Sequence, residues 1–468
     1  MKGLESPRLL WIYVNDRERL PDHDEPTKDR FRQGSEVQDQ AETLFDGVDL
    51  NDTSFDENLQ QTKRLIKDRT TVFEAGVKHD RLYARTDILK PHKEGIVLIE
   101  VKSSTSVKDY HIDDLAFQKH VLEQDGYNVK DVKLIHVNKE YTRRGSIEPD
   151  KVLTEKTVTD RVTNTQSGIQ NRVKDMLDII DKDNAPSFNP ANIPESTHGN
   201  PLIDDFKDDL PDNSVYHLYY AKNKQHSLYD DGIKHLEDIP ETVDLTRKQR
   251  IQQRVAREDQ PHVEPEHIEG FFDDLTYPLT YMDFETMQDA IPLYDDTTPY
   301  QQIPFQYSIH IETRNGSIHH KEFIDDKPGD PRPRFLTNLK DDTPETGSII
   351  VWNEWFEKHV LGSLESHCEE QTLSFDRIFD LQDIFKEFWY YHPEQRGSTS
   401  LKTVYPILRD PNDVSYDDLN IKKGDEAAIQ YKHQRDNPED ELLTNLRRYC
   451  GLDTYSMKII KDSLQLRT

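Results

Sequence analysis

Tyr281-Met282-Asp283-Phe284-Glu285-Thr286 decides how the chain is read. Apolar and aromatic residues dominate residues 279–286 and Pro278 stands at their entry, which predicts a strand. Side chains of a strand alternate between faces, so Asp283 and Glu285 leave the same face of the sheet. Two carboxylates side by side on a largely apolar strand repel each other and are costly to desolvate, and a bound divalent cation is the usual compensation. On these six residues alone, a surface strand with two solvated acids accounts for the pattern as well.

Moving outward, residues 348–352 form a short apolar run predicted as a strand, and Asn353-Glu354-Trp355-Phe356-Glu357 opens a helix after it. Asn353 is a natural N-cap, and Glu357 lies about one turn inside. Near the C-terminus Leu442, Leu446, Tyr449, Asp453, Met457 and Ile460 recur at spacings of three and four, so Tyr449 and Asp453 share the inward stripe of a helix. A carboxylate in such a stripe is unfavourable without a partner. With Asp283, Glu285 and Glu357 it makes four carboxylates on three separated elements. Two Mg²⁺ or Mn²⁺ ions about 3.5–4 Å apart can clamp the attacking water and the leaving oxygen of a phosphodiester, and such hard cations want oxygen ligands. Asp283 is expected to bridge the two ions, Glu285, Glu357 and Asp453 to complete their shells, and Tyr449 to orient or help deprotonate the water.

Asp-x-Glu on a strand, Asn-x-x-Phe-Glu opening a helix and Tyr-x-x-x-Asp on a late helix resemble the DnaQ-like 3′–5′ exonucleases of the RNase H-like fold, in their tyrosine subclass. Residues 276–468 are more closely similar to the DnaQ-like domain fused to RecB-like nucleases in bacteria and archaea. Tyr300-Gln301-Gln302-Ile303-Pro304-Phe305-Gln306, His392-Pro393, Gly397-Ser398-x-Ser400-Leu401-Lys402 and Tyr449-Cys450-x-Leu452-Asp453-Thr454 carry that likeness. Glu357 stands where the wider superfamily has Asp, which lengthens that ligand by one methylene. The resemblance implies support of the site by Asp380 and Lys402.

The N-terminal half carries a second set. Residues 30–45 are predicted as an amphipathic helix, 71–74 and 82–89 as strands, and Pro91 and Gly95 as the brackets of a turn. Residues 96–102 are the most strand-like run of the chain, followed by a helix over 110–123, a strand over 132–138 and a sparse helical stripe over 155–182. Ile96, Leu98, Glu100 and Lys102 share one face, and Asp87 ends the preceding strand. Alone, Glu-x-Lys reads more readily as a surface ion pair of little worth. Yet acids that hold metal, with a lysine that polarises water or stabilises the phosphorane, are the parts of a phosphodiesterase.

Ala84-Arg85-Thr86-Asp87-Ile88-Leu89, Ile99-Glu100-Val101-Lys102-Ser103-Ser104 and Asp114-Leu115-Ala116-Phe117-Gln118 resemble the RecB-type PD-(D/E)XK nucleases. That resemblance implies Asp87 and Glu100 as metal ligands, Lys102 as the catalytic lysine and Gln118 as the helix glutamine that places it, with Glu74 as a further ligand. Two departures stand out. The family's early Gly-x-x-x-His is here Gly34 to Gln38, and the cluster-binding cysteines of many relatives are absent from residues 198–214, which hold His198 but no Cys. No iron–sulfur cluster is expected.

A chain of 468 residues has room for two or three domains. No apolar run approaches a membrane span, no signal-peptide pattern follows the short apolar patch at residues 9–14, and two cysteines leave no disulfide framework. A cytoplasmic location is expected. The net charge of −30 is the wrong sign for broad phosphate binding, which leaves two readings: either nucleic acid is not the partner, or it is met at local patches and metal-bridged sites. Such an Asp-rich surface also suits concentrated salt. The one sustained basic segment runs from Arg247 to Arg257.

The expected architecture is α/β: a PD-(D/E)XK restriction-endonuclease-like domain over 1–214, a helical connector over 215–274, and an RNase H-like, DnaQ-like domain over 275–468. The expected function is a metal-dependent nuclease acting on DNA, with RNA the lesser alternative. Two Mg²⁺ or Mn²⁺ ions are expected in the C-terminal site and one or two in the N-terminal one. Its rivals are a nucleic-acid-binding or assembly protein on decayed nuclease folds, and a protein in which only the C-terminal domain is active.

Overall fold

The computed structural model describes residues 2–187, 202, 210–368 and 374–467, and the protein is α/β. His198 and most of the Pro-, Asn- and Asp-rich stretch 184–214 lie outside the described residues. The chain divides into two compact units, Met1–Asp204 with Gln288–Gln301, and Asp205–Met287 with Gln302–Thr468. Residues 215–274 fall in the second unit and form short helices, among them Arg247–Glu258 and Pro265–Asp273.

The first unit is built on six strands in spatial order, β1 (Gly47–Asp49), β2 (Thr71–His79), β3 (Leu82–His92), β4 (Gly95–Lys102), β5 (Val129–Val137) and β6 (Leu153–Thr157). β1 and β2 are parallel, β2, β3 and β4 antiparallel, β4 and β5 parallel, and β6 antiparallel to β5. β4 is nearly all apolar because both faces are covered. Ile96 and Leu98 join the core formed with helix Asp109–Gln124 through Ile112, Leu115 and Leu122. Val97, Ile99 and Val101 join the opposite core with Val37 and Ala41 of helix Glu25–Glu42. Ala290, from the segment 288–301, completes that second core. The same segment is tied down by Arg32 to Asp289 (3.3 Å), by Arg143 to the Leu293 carbonyl (2.7 Å) and by Tyr300, whose hydroxyl donates to the Ser103 carbonyl.

Several sequence expectations need correction. Pro91 does not bracket a turn: β3 runs through it to His92, and Asp87 lies inside the strand rather than at its end. Proline is tolerated there because the β2 ladder stops at Val72↔Leu89, so the missing N–H has no partner to lose. The turn is closed by Gly95 at φ 154°, where a Cβ would stand 2.0 Å from the Asn128 carbonyl. Residues 155–157 pair in β6 instead of continuing a helix, and the helix expected over 30–45 is Glu25–Glu42, starting from the Asp24 cap.

The second unit carries a two-stranded ribbon, β7 (His262–Val263) with β13 (Tyr390–Tyr391), and a five-stranded sheet. The five strands are β8 (Leu279–Met287), β9 (Ile303–Glu312), β10 (Ile318–Ile324), β11 (Ile349–Val351) and β12 (Ile378–Asp380), in spatial order β10-β9-β8-β11-β12. The β8–β9–β10 part is antiparallel, while β11 and β12 run parallel to β8. Met282 and Phe284 point into a core with Phe335, Val360 and Leu364, and Phe284 meets Phe335 edge-on at 5.3 Å. Asp283 and Glu285 therefore face the other way, under helix Asp440–Gln465.

Candidate metal centres

Three side-chain hydrogen bonds seat helix Asp440–Gln465 on the acidic face of the sheet. Gln306 donates to the Leu446 carbonyl (2.9 Å), and the Thr454 hydroxyl bonds with Ser308 and with His310 Nδ1, each at 2.8 Å. Gln306 and Ser308 are the β9 partners of Glu285 and Asp283, so these bonds fix the helix directly beside the two acids. The stripe read from the sequence is buried along its length: Leu442, Leu446, Tyr449, Asp453, Met457 and Ile460.

Asp283, Glu285 and Cys450 each offer one ligand atom within 4.8 Å of the others, the one such group of three among the described residues. Cys450 Sγ lies 3.6 Å from Asp283 Oδ2 and 3.8 Å from the Asp283 carbonyl. Glu357 and Asp453 stand outside that tight group but within its field. Burial, then the Asp453 charge, pushes the Asp283 carboxyl well above its ordinary range; burial, then Asp283, does the same to Glu285 and to Glu357. Asp453 is pushed up to about 6 by burial, although the Tyr416 hydroxyl donates to it. Glu357, on helix Glu354–Cys368, is 2 % exposed and its Oε2 has no hydrogen-bond partner among the described residues.

The lining is completed by groups on two further segments, with a third behind them. Lys402 donates to the Tyr449 hydroxyl (2.5 Å) and lies 4.6 Å from the centre of that ring. Gly424 opens helix Gly424–Gln434, and a Cβ there would stand 3.5 Å from Glu285 Oε2 and 3.7 Å from the Tyr449 hydroxyl. Asp380 lies behind the site. It accepts from the N–H groups of Asn353 (2.9 Å), Glu354 (3.2 Å) and Gln382 (3.0 Å), and from Lys386 Nζ (2.7 Å). Asn353 stands just before the helix at φ 88°, and Asp380 takes the helix-start N–H groups across the β11–β12 edge. Asp380 thereby holds the junction that presents Glu357.

In the first unit, the β3–β4 ladder runs from His92↔Gly95 to Ile88↔Ile99 and ends there. Beyond that point Asp87 Oδ2 accepts the Val101 N–H (2.7 Å), so the acid occupies the place of a backbone partner where the strands part. Gln118 Nε2 donates to Glu100 Oε2 (2.8 Å), Lys102 Nζ donates to Glu100 Oε1, and Asp114 lies 3.5 Å from Lys102. The four expected residues Asp87, Glu100, Lys102 and Gln118 are thus brought together, and Asp114 joins them.

Burial pushes the Asp87 carboxyl up to about 6, against the pull of Lys102; burial, then Asp87, pushes Glu100 to about 8. Burial works against the Lys102 ammonium, yet Glu100, Asp87 and Asp114 outweigh it and raise its pKa. Gln118 Oε1 is buried with no hydrogen-bond partner among the described residues. Glu74, at φ 54°, is paired with Arg85 (2.6 Å), and burial raises its carboxyl. Gln38 donates to Glu42 (2.8 Å), one turn further along its helix, and the Glu42 charge acts on Glu74.

Sequence reasoning missed Cys450, Tyr416, Gly424, Asp114 and Glu42 as parts of these sites. Cys450 and Asp114 lie inside the two resemblance motifs; no spacing signal links Tyr416 or Gly424 to Asp453 or Glu285.

A domain of unknown function, DUF2779, matches residues 280–400, which include Asp283, Glu285 and Glu357 but not Tyr449 or Asp453. The chain is 25% identical over 202 residues to "Uncharacterized protein MG366" of Mycoplasma genitalium, covering 38% of this chain and 30% of that protein. It is 26% identical over 206 residues to the MG366 homolog of Mycoplasma pneumoniae, covering 39% and 31%. The chain therefore spans under a third of the length of the curated relatives it matches. No helix among the described residues is long and apolar enough to cross a membrane.

Proposed function

We propose that the protein is a metal-dependent nuclease acting on DNA, or failing that RNA, with a 3′–5′ exonuclease site in an RNase H-like second unit and a second site in a PD-(D/E)XK-like first unit. The observation that carries this reading is that half-buried Asp283 and buried Glu285, Glu357 and Asp453 lie in one another's field, with carboxyls all held above their ordinary range. Such a set is unfavourable until cations share it. The donor chemistry fits Mg²⁺ or Mn²⁺: the carboxylates are hard oxygens, and the buried, unpartnered Glu357 Oε2 is free to ligate. Bound there, the ions supply Lewis-acid stabilisation and a water acidic enough to act near neutral pH.

The chain's own residues do the rest. Burial, then the Asp453 charge, holds the Tyr449 phenol above its ordinary range, and the hydroxyl is placed to orient the water or help deprotonate it. Lys402 fixes the Tyr449 oxygen by its hydrogen bond. In the first unit, Asp87 and Glu100 are the expected ligands, and Lys102 remains cationic, suited to stabilising charge on a phosphorane.

Purified protein is incubated with Mn²⁺ or Mg²⁺, at low and high KCl, on DNA labelled separately at each end, beside D283A and K102A. Stepwise release of mononucleotides from the 3′ end, lost in D283A and kept in K102A, is the expected result. A distinct product lost only in K102A assigns the first unit. Absence of metal-dependent cleavage of DNA and RNA at every salt concentration refutes the enzyme reading and leaves a binding protein.

A further inference from the structure

Helix Arg247–Glu258 begins at a reciprocal cap between Thr246 and Gln249, and it buries Ile251 and Val255 against Phe388 and Tyr391. Arg247, Arg250 and Arg254, at spacings of three and four, share its outer face. Beside them is a cavity of about 570 Å³ lined by these three arginines with Ile251, His262 and Glu264.

The arginines are held in place. Arg254 Nη2 lies 2.7 Å from His262 Nδ1. A guanidinium only donates, so Nδ1 accepts, the imidazole proton resides on Nε2, and Nε2 donates to Glu264 Oε1 at 2.9 Å. Arg247 donates to the same Glu264 oxygen and to the Glu387 carbonyl (3.1 Å). One carboxylate thus orders two guanidiniums, one of them through His262. Arg250 is 67% exposed and its nearest acid, the fully exposed Asp244, is 3.9 Å away. In a chain of net charge −30, this cleft is locally cationic and belongs to neither metal centre.

We propose that this cleft binds the phosphodiester backbone of a polynucleotide, as a docking site separate from the metal centres; the inference rests on the nuclease reading for its choice of ligand. From Arg247 to Arg254 the helix rises about 10 Å, the length of about three nucleotides at 3.4 Å each along one strand. Preordered guanidinium forks match phosphate oxygens in pairs, and Ile251 leaves an apolar floor that admits sugar. The contacts are to backbone and read no sequence.

The test uses the full chain in chelator, so that binding is measured without cleavage. Fluorescence anisotropy of a labelled single-stranded oligonucleotide is recorded across a KCl series for wild type and R250Q/R254Q, with polyglutamate as competitor. Cleavage with Mn²⁺ is run in parallel. Loss of two phosphate contacts is expected to weaken binding about tenfold and to reduce the log–log salt slope by about 1.4, while hydrolysis of a dinucleotide stays unchanged. R250E, at the exposed arginine alone, repeats the test should the double variant melt differently from wild type. Equal affinity and slope in both proteins, with cleavage intact, overturns the docking site and leaves the nuclease reading standing. Polyglutamate displacing the oligonucleotide at matched charge assigns the cleft to acidic protein and also overturns it. Neither binding nor cleavage by wild type overturns both.

Discussion

If the buried carboxylates hold the proposed ions, the protein should be less stable without them, and Asp453 allows the cost to be worked out. Its carboxyl rises from 3.8 to about 6 in the folded chain. At about 1.4 kcal/mol per pKa unit, an ionised Asp453 costs about 3 kcal/mol. Because the folded value is the higher one, this contribution to stability is present below pH 3.8 and is lost as pH rises through about 6, remaining lost at pH 7.5. Asp453→Asn removes the charge and keeps an oxygen to accept from Tyr416, though a weaker acceptor by about 1–1.5 kcal/mol. In chelator at pH 7.5 the variant should be more stable by about 1–2 kcal/mol, or about 2–8 °C in Tm for a unit of this size. Wild type should gain about 2.7 kcal/mol from Mn²⁺ at a hundred times its Kd, and the variant much less. Differential scanning calorimetry at pH 5 and 7.5, with chelator and with Mn²⁺, measures both. The gap in chelator should narrow at pH 5. A variant less stable than wild type in chelator, or one gaining as much from Mn²⁺, refutes the reasoning.

Two further outcomes follow from the lining. Gly424→Val places methyl groups in the space beside Glu285 Oε2 and the Tyr449 hydroxyl; it should weaken Mn²⁺ binding by calorimetric titration at least about tenfold, on the scale of losing a supporting group, with the far-UV spectrum unchanged. Tyr449→Phe removes the acceptor of Lys402 and the hydroxyl that orients the water, and should lower kcat for 3′-end release by about 10²-fold, on the scale of a misplaced reacting group, with a much smaller change in KM. A variant with wild-type kcat would leave Tyr449 a packing residue.

The parts legible in the sequence are those with a period. Alternation along Leu279–Met287 put Asp283 and Glu285 on one face, and the three-four spacing of Asp440–Gln465 put Tyr449 and Asp453 on the buried stripe. Contacts between distant segments have no period. Tyr416 reaches Asp453 from a short turn 37 residues earlier, and Asp380 reaches Asn353 across 27 residues. Cys450 is set next to Tyr449 in sequence, but its turn toward Asp283 depends on the helix's seat over β9. Pro91 misled because its effect depends on whether a neighbouring strand needs its N–H, and the end of the β2 ladder decides that. Nothing local in residues 288–301 signals that they complete a core containing Val37 and Ile99.

That last segment has a consequence for how the chain is born. A ribosome delivers Gln288–Gln301 only after Asp204 and the opening stretch of the second unit have emerged. At about 5–20 residues per second, the first unit waits about 5–20 s for the residues that cover Val37 and tie the end of β4 through Ser103. During that interval the nascent first unit carries an unfinished hydrophobic face, the kind of transiently exposed surface on which aggregation starts.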